Sequence, residues 1–220
     1  MDELQQFSSC DVSDALGRIG HFGQLTDILM ASPNPATHPD VRVVGLAYTV
    51  EFVLASDTNA PKPSKHHVDS APQGSIIVIK TPSSTPNAVW GGLMSTRAAV
   101  IGVKGAVIGG RIRDRAEQWQ IGFPVFCSGF STLGAASFAR PSTIGEPIAF
   151  KHEVSGQEVI VHSGDVVVAD LDGVVCFPAT LIPQVVQLCK EIVAADGNCM
   201  KDIQQGRTLV DAFSEHRKKK

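Results

Sequence analysis

A chain of 220 residues is long enough to bury a substantial core in one domain. With 43% hydrophobic and 19% charged residues it has the composition of an ordinary folded protein, neither disordered nor fibrous. A formal charge of −3 excludes the overall positive field that would draw it to nucleic acid or to anionic lipid.

The predicted elements begin with "FSSCDVSDALGRIG", where Ser8 and Asp11 have the spacing of a helix N-terminal cap and Gly17 or Gly20 is expected to end the helix. In "VRVVGLAYTVEFVL", Val44, Leu46, Tyr48, Val50, Phe52 and Leu54 alternate and predict a long strand with one strongly apolar face. Residues 55–73 carry three prolines among polar residues and read as a surface excursion, with His66 and His67 as solvent residues. "GSIIVIK" is a short buried strand. From 81 to 127 the pattern alternates: a loop "TPSSTPNAVW", a helix from about 91 to 101, a strand "GAVIG", a short helix from about Asp114 to Gln120, and a strand "PVFC".

Residues 147–178 predict short strands "PIAFKHEV", "EVIVH" and "DVVVADLDGVVCFP". A turn at Ser155 and Gly156 parts the first two, and a turn at Asp172 and Gly173 breaks the last. From about residue 180 the chain is helical, with interruptions near Gly197 and Gly206. The terminal "HRKKK", the only basic run, reads as a solvated tail.

Five cysteines, Cys10, Cys127, Cys176, Cys189 and Cys199, lack C-x-x-C spacing and suit free or buried thiols in a reducing compartment. No apolar run approaches the roughly 18 residues of a membrane span, and no basic-then-apolar leader is visible. The expectation is a soluble, cytoplasmic protein of one domain.

Two segments carry the candidate chemistry. In "WGGLMSTRAAVIG", Gly91 and Gly92 open a helix, so the backbone N–H groups around Leu93 and Met94 can face a carboxylate or phosphate. In "GAVIGGRIRD" the strand is expected to end near Gly109, and ligands of open α/β sheets gather outside the carboxyl ends of strands. Arg113 there offers a fork for a carboxylate, and Asp114 a hard oxygen ligand for Mg²⁺ or Mn²⁺. The same spacings also fit glycines that only turn a loop into a helix, and an Asp114 that only caps the next helix. Lys80 and Lys104 read as solvated lysines rather than Schiff-base nucleophiles, and Asp165, Asp170 and Asp172 as turn formers.

"CDVSDALGR", "WGGLMSTRA", "GAVIGGRIRD" and "SGDVVVADLDGVVCFP", in this order, resemble the signature blocks of the RraA-like family. That family includes the regulator of ribonuclease activity and the class II aldolases acting on 4-hydroxy-4-methyl-2-oxoglutarate. The resemblance spans about Phe7 to Phe213. It implies an α/β fold, an αββα sandwich of the swivelling β/β/α type, in one domain assembled as a homotrimer or a homohexamer of stacked trimers. It also implies active sites between subunits. It assigns Arg113 to the pyruvyl substrate, Asp114 to a divalent metal, Mg or Mn, and the backbone of Gly91, Gly92, Leu93 and Met94 to substrate binding. The regulator branch typically has another residue after that arginine.

Two positions depart from the family pattern. Many members carry an acid where Gly92 stands, and many an aspartate where Gly109 stands. Some members borrow a carboxylate from the neighbouring subunit's C-terminal helix, for which Glu191 and Asp196 are candidates.

The implied reaction is cleavage of a 4-hydroxy-2-oxo acid to pyruvate, with oxaloacetate decarboxylation through the same pyruvate enolate, because a cation beside the 2-oxo oxygen stabilises the charge that develops there. The competing reading is a non-catalytic regulator that masks a protein partner. A quinone methyltransferase lacks support, since no glycine-rich nucleoside site is present.

Overall fold

In the computed structural model, residues 1–83, 85–135, 137–152 and 156–217 are described. After a 3₁₀ turn at Asp2–Gln6, helix α1 (Ser9–Arg18) starts at a complete capping box: Ser8 Oγ accepts from the Asp11 N–H, and the Asp11 carboxylate accepts from the Ser8 N–H. Gly17 lies inside this helix, and Gly20, at φ +70°, turns the chain away from it.

Strands β1 (Leu29–Ser32), β2 (Val43–Leu54), β3 (Ser75–Lys80) and β4 (Ala88–Trp90) precede helix α2 (Gly92–Val100). Next come β5 (Gly105–Ile112), α3 (Arg115–Ile121), β6 (Val125–Phe130), β7 (Ala139–Ile144), β8 (Ile148–Lys151), β9 (Glu158–Val161), β10 (Val166–Asp170) and β11 (Gly173–Phe177). Helices α4 (Ile182–Gln204) and α5 (Leu209–His216) follow.

One large mixed sheet runs β1-β6-β5-β3-β2-β10-β11, with β4 added beside β5 and β7 beside β2. Its centre, β6-β5-β3-β2, is parallel and its flanks antiparallel. The sheet curls until its ends nearly meet, because the segment entering β1 bonds to β11: Leu25 N–H donates to Val174 O at 2.9 Å, and Cys176 N–H to Gly23 O at 2.7 Å.

Three apolar clusters follow from this curl. Ile76, Val78, Val107 and Phe126 pack on the inside with Val167 and Cys176. Ile77, Ile79, Ile108 and Ile112 face α2 and α3. Val44, Val166 and Phe177 face α1 and α4 through Leu16, Val185 and Ile192. The expected mixed α/β architecture with helices layered against a sheet is what forms.

Several expectations require correction. β2 is covered on both faces rather than one, so Val43, Ala47 and Thr49 are buried, whereas Leu46 and Leu54 are exposed. The segment 55–73 is not wholly superficial: His67, Val68 and Ala71 plug the sheet. The expected loop before Gly91 contains strand β4, and β1 and β7 had no distinct sequence signal. Gly197 lies within the unbroken helix α4, where tertiary packing overrides glycine's low helix propensity, while Gly206, at φ +92°, does interrupt the helical region, between α4 and α5. Glu153, Val154, Ser155 and the final Lys218, Lys219 and Lys220 lie outside the described residues. The described cysteines are free thiols, four buried and Cys10 exposed.

Candidate active site

The strand expected to stop near Gly109 continues to Ile112, because β4 and β6 both pair with its far end. Its register against β6 shifts between Ile108 and Arg111, and the glycines there are required by crowding. A Cβ on Gly109 would meet the Phe150 ring at 2.5 Å, and one on Gly110 the Thr81 Oγ1 at 2.6 Å. Arg113 and Asp114 are therefore the residues that emerge from the strand end, and Arg111 remains in the strand.

Parallel pairing of Trp90 with Ile112 is what brings the two candidate segments together. The Arg113 N–H donates to Trp90 O at 3.0 Å, so the turn out of β4, Gly91–Gly92, sits against the turn out of β5. Asp114 adopts φ 60° and ψ 40°, the left-handed region unusual for a residue with a side chain. Its side chain does not cap α3. It turns instead to the start of α2, where Oδ2 accepts from the Gly92 N–H at 3.2 Å and lies 3.5 Å from Arg113 Nε.

Gly91 is the cap residue of α2 and Gly92 its first residue. Leu93 is 81% exposed and Met94 half-buried. Of their amides, that of Met94 is bonded to Gly91 O at 3.1 Å, while that of Leu93 has no acceptor among the described residues.

Two residues of this site escaped sequence reasoning. A Cβ placed on Gly92 would fall on the carboxylate of Glu117, so Glu117 fills the volume in which a side chain at 92 would project. Glu117 follows Asp114 by three residues, and a second carboxylate at that short spacing is the signal that could have found it. Gln118, fully buried, donates from Nε2 to Arg113 O at 2.6 Å and accepts at Oε1 from Ser95 Oγ at 3.0 Å. Ser95 Oγ in turn accepts from Trp90 Nε1 at 2.8 Å. This buried relay ties β4, α2 and α3 together and fixes the Arg113 backbone from both sides.

Asp114, Glu117 and Arg113 thus converge on the start of α2. Two carboxylates supply the hard oxygen donors that Mg²⁺ and Mn²⁺ take with the rest of their shell left to water and substrate, so the residues present fit such an ion.

A family model described as Aldolase/RraA, of the RraA-like family, matches residues 9–176, most of the chain and both of these segments. The chain belongs to the RraA-like family. This RraA-like chain is 29% identical over 219 residues to a Halalkalibacterium halodurans protein named "Putative 4-hydroxy-4-methyl-2-oxoglutarate aldolase", covering 98% of the chain and 95% of that protein. It is 26% identical over 217 residues to DlpA of Legionella pneumophila; the match takes in 97% of the chain but spans only 33% of DlpA. The crystal structure of an uncharacterized protein from Pseudomonas syringae superposes with a TM-score of 0.79 at 27% identity, covering 96% of the chain and 95% of that structure.

The other candidates of this RraA-like chain lie elsewhere. Lys104 Nζ donates to Val44 O at 2.9 Å, and Lys80 Nζ stands 5.4 Å from the Phe150 ring centre. Asp165 and Asp170 are buried anchors: Asp165 accepts from the His162 N–H at 2.8 Å, while Asp170 takes both the N–H and the hydroxyl of Ser9, at 2.8 and 2.6 Å. Asp172 and Gly173 make the expected tight turn between β10 and β11. On α4, Glu191 accepts from Gln187 and Asp196 pairs with Arg217. His67 is only 2% exposed, contrary to the solvent reading, because its ring stacks on His66 and meets Phe52 edge-on. Among the described residues, one group of three potential metal ligands is close enough to share an ion, Asp202, Glu215 and His216; Arg207 already pairs with both of its carboxylates.

Proposed function

We propose that the chain is a divalent-metal-dependent pyruvate aldolase that cleaves 4-hydroxy-2-oxo acids such as 4-hydroxy-4-methyl-2-oxoglutarate, and that it decarboxylates oxaloacetate through the same pyruvate enolate. The observation that carries this reading is the conformation of Asp114. A backbone in the left-handed region, with no cap made, aims its carboxylate at the start of α2 beside Arg113 and Glu117. Backbone conformations of this kind cluster at functional positions. The family's description, Aldolase/RraA, and the name of the Halalkalibacterium relative support the same reading.

Asp114 and Glu117 would hold the ion, Mg²⁺ or Mn²⁺, which supplies Lewis acidity toward the 2-oxo group. The start of α2 receives the 1-carboxylate, where the unpaired Leu93 N–H and the positive end of the helix favour an anion. Arg113 holds the keto acid in plane and offsets the charge that grows on its 2-oxo oxygen as the C–C bond breaks. Its reach is set by a backbone clamped between Trp90 O and the Gln118 amide, the pre-positioning that converts binding into rate. In cleavage the 4-hydroxyl proton must leave, and the Glu117 Oε atom not engaged by the ion would take it.

We place the protein in a homotrimer or homohexamer whose sites lie between subunits, acting on small 2-oxo acids. Purified protein given oxaloacetate or 4-hydroxy-4-methyl-2-oxoglutarate with Mg²⁺ or Mn²⁺ should release pyruvate, and EDTA should stop it. Asp114→Ala should lower turnover by at least about a thousandfold while sedimentation and circular dichroism stay as in the wild type. Pyruvate release unaffected by either change rejects the proposal, and no release with either metal leaves the partner-masking regulator as the better account.

A further inference from the structure

Beside Arg113 and Asp114 opens a cavity of about 590 Å³ whose wall also includes Arg115, Phe130, Ser131 and Thr132. Arg115, the first residue of α3, is held there by aromatic rings. Its guanidinium carbon lies 3.9 Å from the centre of Phe130 and 5.1 Å from that of Trp119. Trp119 is itself pinned, its Nε1 donating to Ala31 O at 2.8 Å. These contacts set the guanidinium against the faces of two rings, and its N–H groups are uncommitted: Arg115 makes no hydrogen bond or ion pair among the described residues. Arg42, Arg97, Arg207 and Arg217, by contrast, each sit against an aspartate or glutamate.

A guanidinium held against two rings with its N–H groups free is a preorganised fork for a carboxylate, and less side-chain entropy remains to be lost when one arrives. The charges in the cavity agree. Arg113 and Arg115 outnumber Asp114 along its wall, so the cavity is net cationic before any ion is bound and favours a dianionic acid over a monoanionic one.

Resting on the aldolase reading above, we propose that Arg115 is the specificity residue, receiving the carboxylate of the substrate distal to the reacting keto group. Phe130 and Trp119 are positioning residues that hold it at the rim. Substrates ending in a second carboxylate are selected over those ending in a methyl group.

The test uses two five-carbon acids that differ only at that end, 2-oxoglutarate and 2-oxopentanoate. Neither has the 4-hydroxyl, so neither undergoes retro-aldol cleavage, and binding is read without turnover. Titrations of the intact protein with Mg²⁺ present, by calorimetry and by tryptophan fluorescence, are compared for wild type, Arg115→Gln and Arg115→Lys. Wild type should prefer 2-oxoglutarate by about tenfold or more, the value of a charge-assisted hydrogen bond. Arg115→Gln should bring the ratio within about twofold of unity by weakening 2-oxoglutarate alone, and Arg115→Lys should keep part of the preference. Equal affinities in wild type, no binding of either acid, a preference undiminished in Arg115→Gln, or equal weakening of both acids by that change each overturn the assignment. The aldolase reading fails on a different result, the absence of pyruvate from any 4-hydroxy-2-oxo acid, whichever way the binding ratio falls.

Discussion

Asp114 shows how one residue type serves two readings that spacing cannot separate. An aspartate just before a helix is ordinarily a cap, and the pattern R-D at a strand end is equally compatible with that. Its φ of 60° decides against the cap, because the side chain then leaves the axis of α3 and crosses to Gly92. His67 is the converse case. Adjacent histidines in a polar, proline-rich segment read as solvent residues, yet the ring of His67 is buried against Phe52 and His66, and burial pushes its pKa down to about 4, with the His66 charge adding to the effect. In the unfolded chain the imidazole takes up a proton near pH 6.5, whereas the folded protein resists this until about pH 4. The contribution of neutral His67 is therefore complete above pH 6.5 and is lost as the pH falls toward 4, by up to roughly 3 kcal/mol. Urea titrations at pH 7 and pH 4.5 should show a markedly smaller loss of stability for His67→Leu than for the wild type; equal losses would contradict the assignment.

At the scale of elements, the three residues of β4 matter most to the site, since their pairing with β5 sets Gly91–Gly92 against Arg113–Asp114. The two glycine segments were legible from sequence, because glycine pairs, a strand end and a local burst of charge are all short-range signals. The element that joins them was not: Ala88–Trp90 follows a run of prolines and serines, and only long-range pairing makes it a strand. The Trp90–Ser95–Gln118 relay was hidden for the same reason, since its members lie on three elements and a glutamine inside a short helix ordinarily faces water. Gln118→Leu keeps the volume but leaves the Ser95 hydroxyl without an acceptor and the Arg113 carbonyl without a donor. It should cost about 2–3 kcal/mol in urea denaturation and, by loosening Arg113, lower kcat with a smaller effect on KM. A loss of stability with unchanged kinetics would limit the relay to a structural role.

For the whole molecule, the alternation of strands and helices in the middle of the chain was sufficient to give the α/β class, and the four ordered sequence blocks the family. The closing of the sheet was not readable, because it depends on backbone bonds between the segment before β1 and strand β11, some 150 residues apart. No described helix is long and apolar enough to cross a membrane, so the apolar residues left on the surface call for another explanation. Leu93 stands out from the start of α2 beside the site, Val100 from the other end of that helix, and Val210 from α5. Apolar side chains left exposed to this degree suit surfaces that meet another chain, as the proposed assembly requires. Sedimentation should accordingly reveal a trimer or hexamer, and Val100→Glu should shift the profile toward smaller species; a monomeric wild type would refute the proposed assembly.

Since one small volume serves both the backbone of Gly92 and the carboxylate of Glu117, these two positions cannot change independently. A bulkier residue at 92 evicts the acid from α3, and a truncated residue at 117 leaves a gap that no neighbour fills. Gly92→Asp and Glu117→Ala should therefore each cripple turnover alone, while the combination, which delivers the acid from the opposite wall, should recover at least about tenfold over either. Related chains would then be expected to carry that acid on one wall or the other, and to cross between the two arrangements only through paired exchanges.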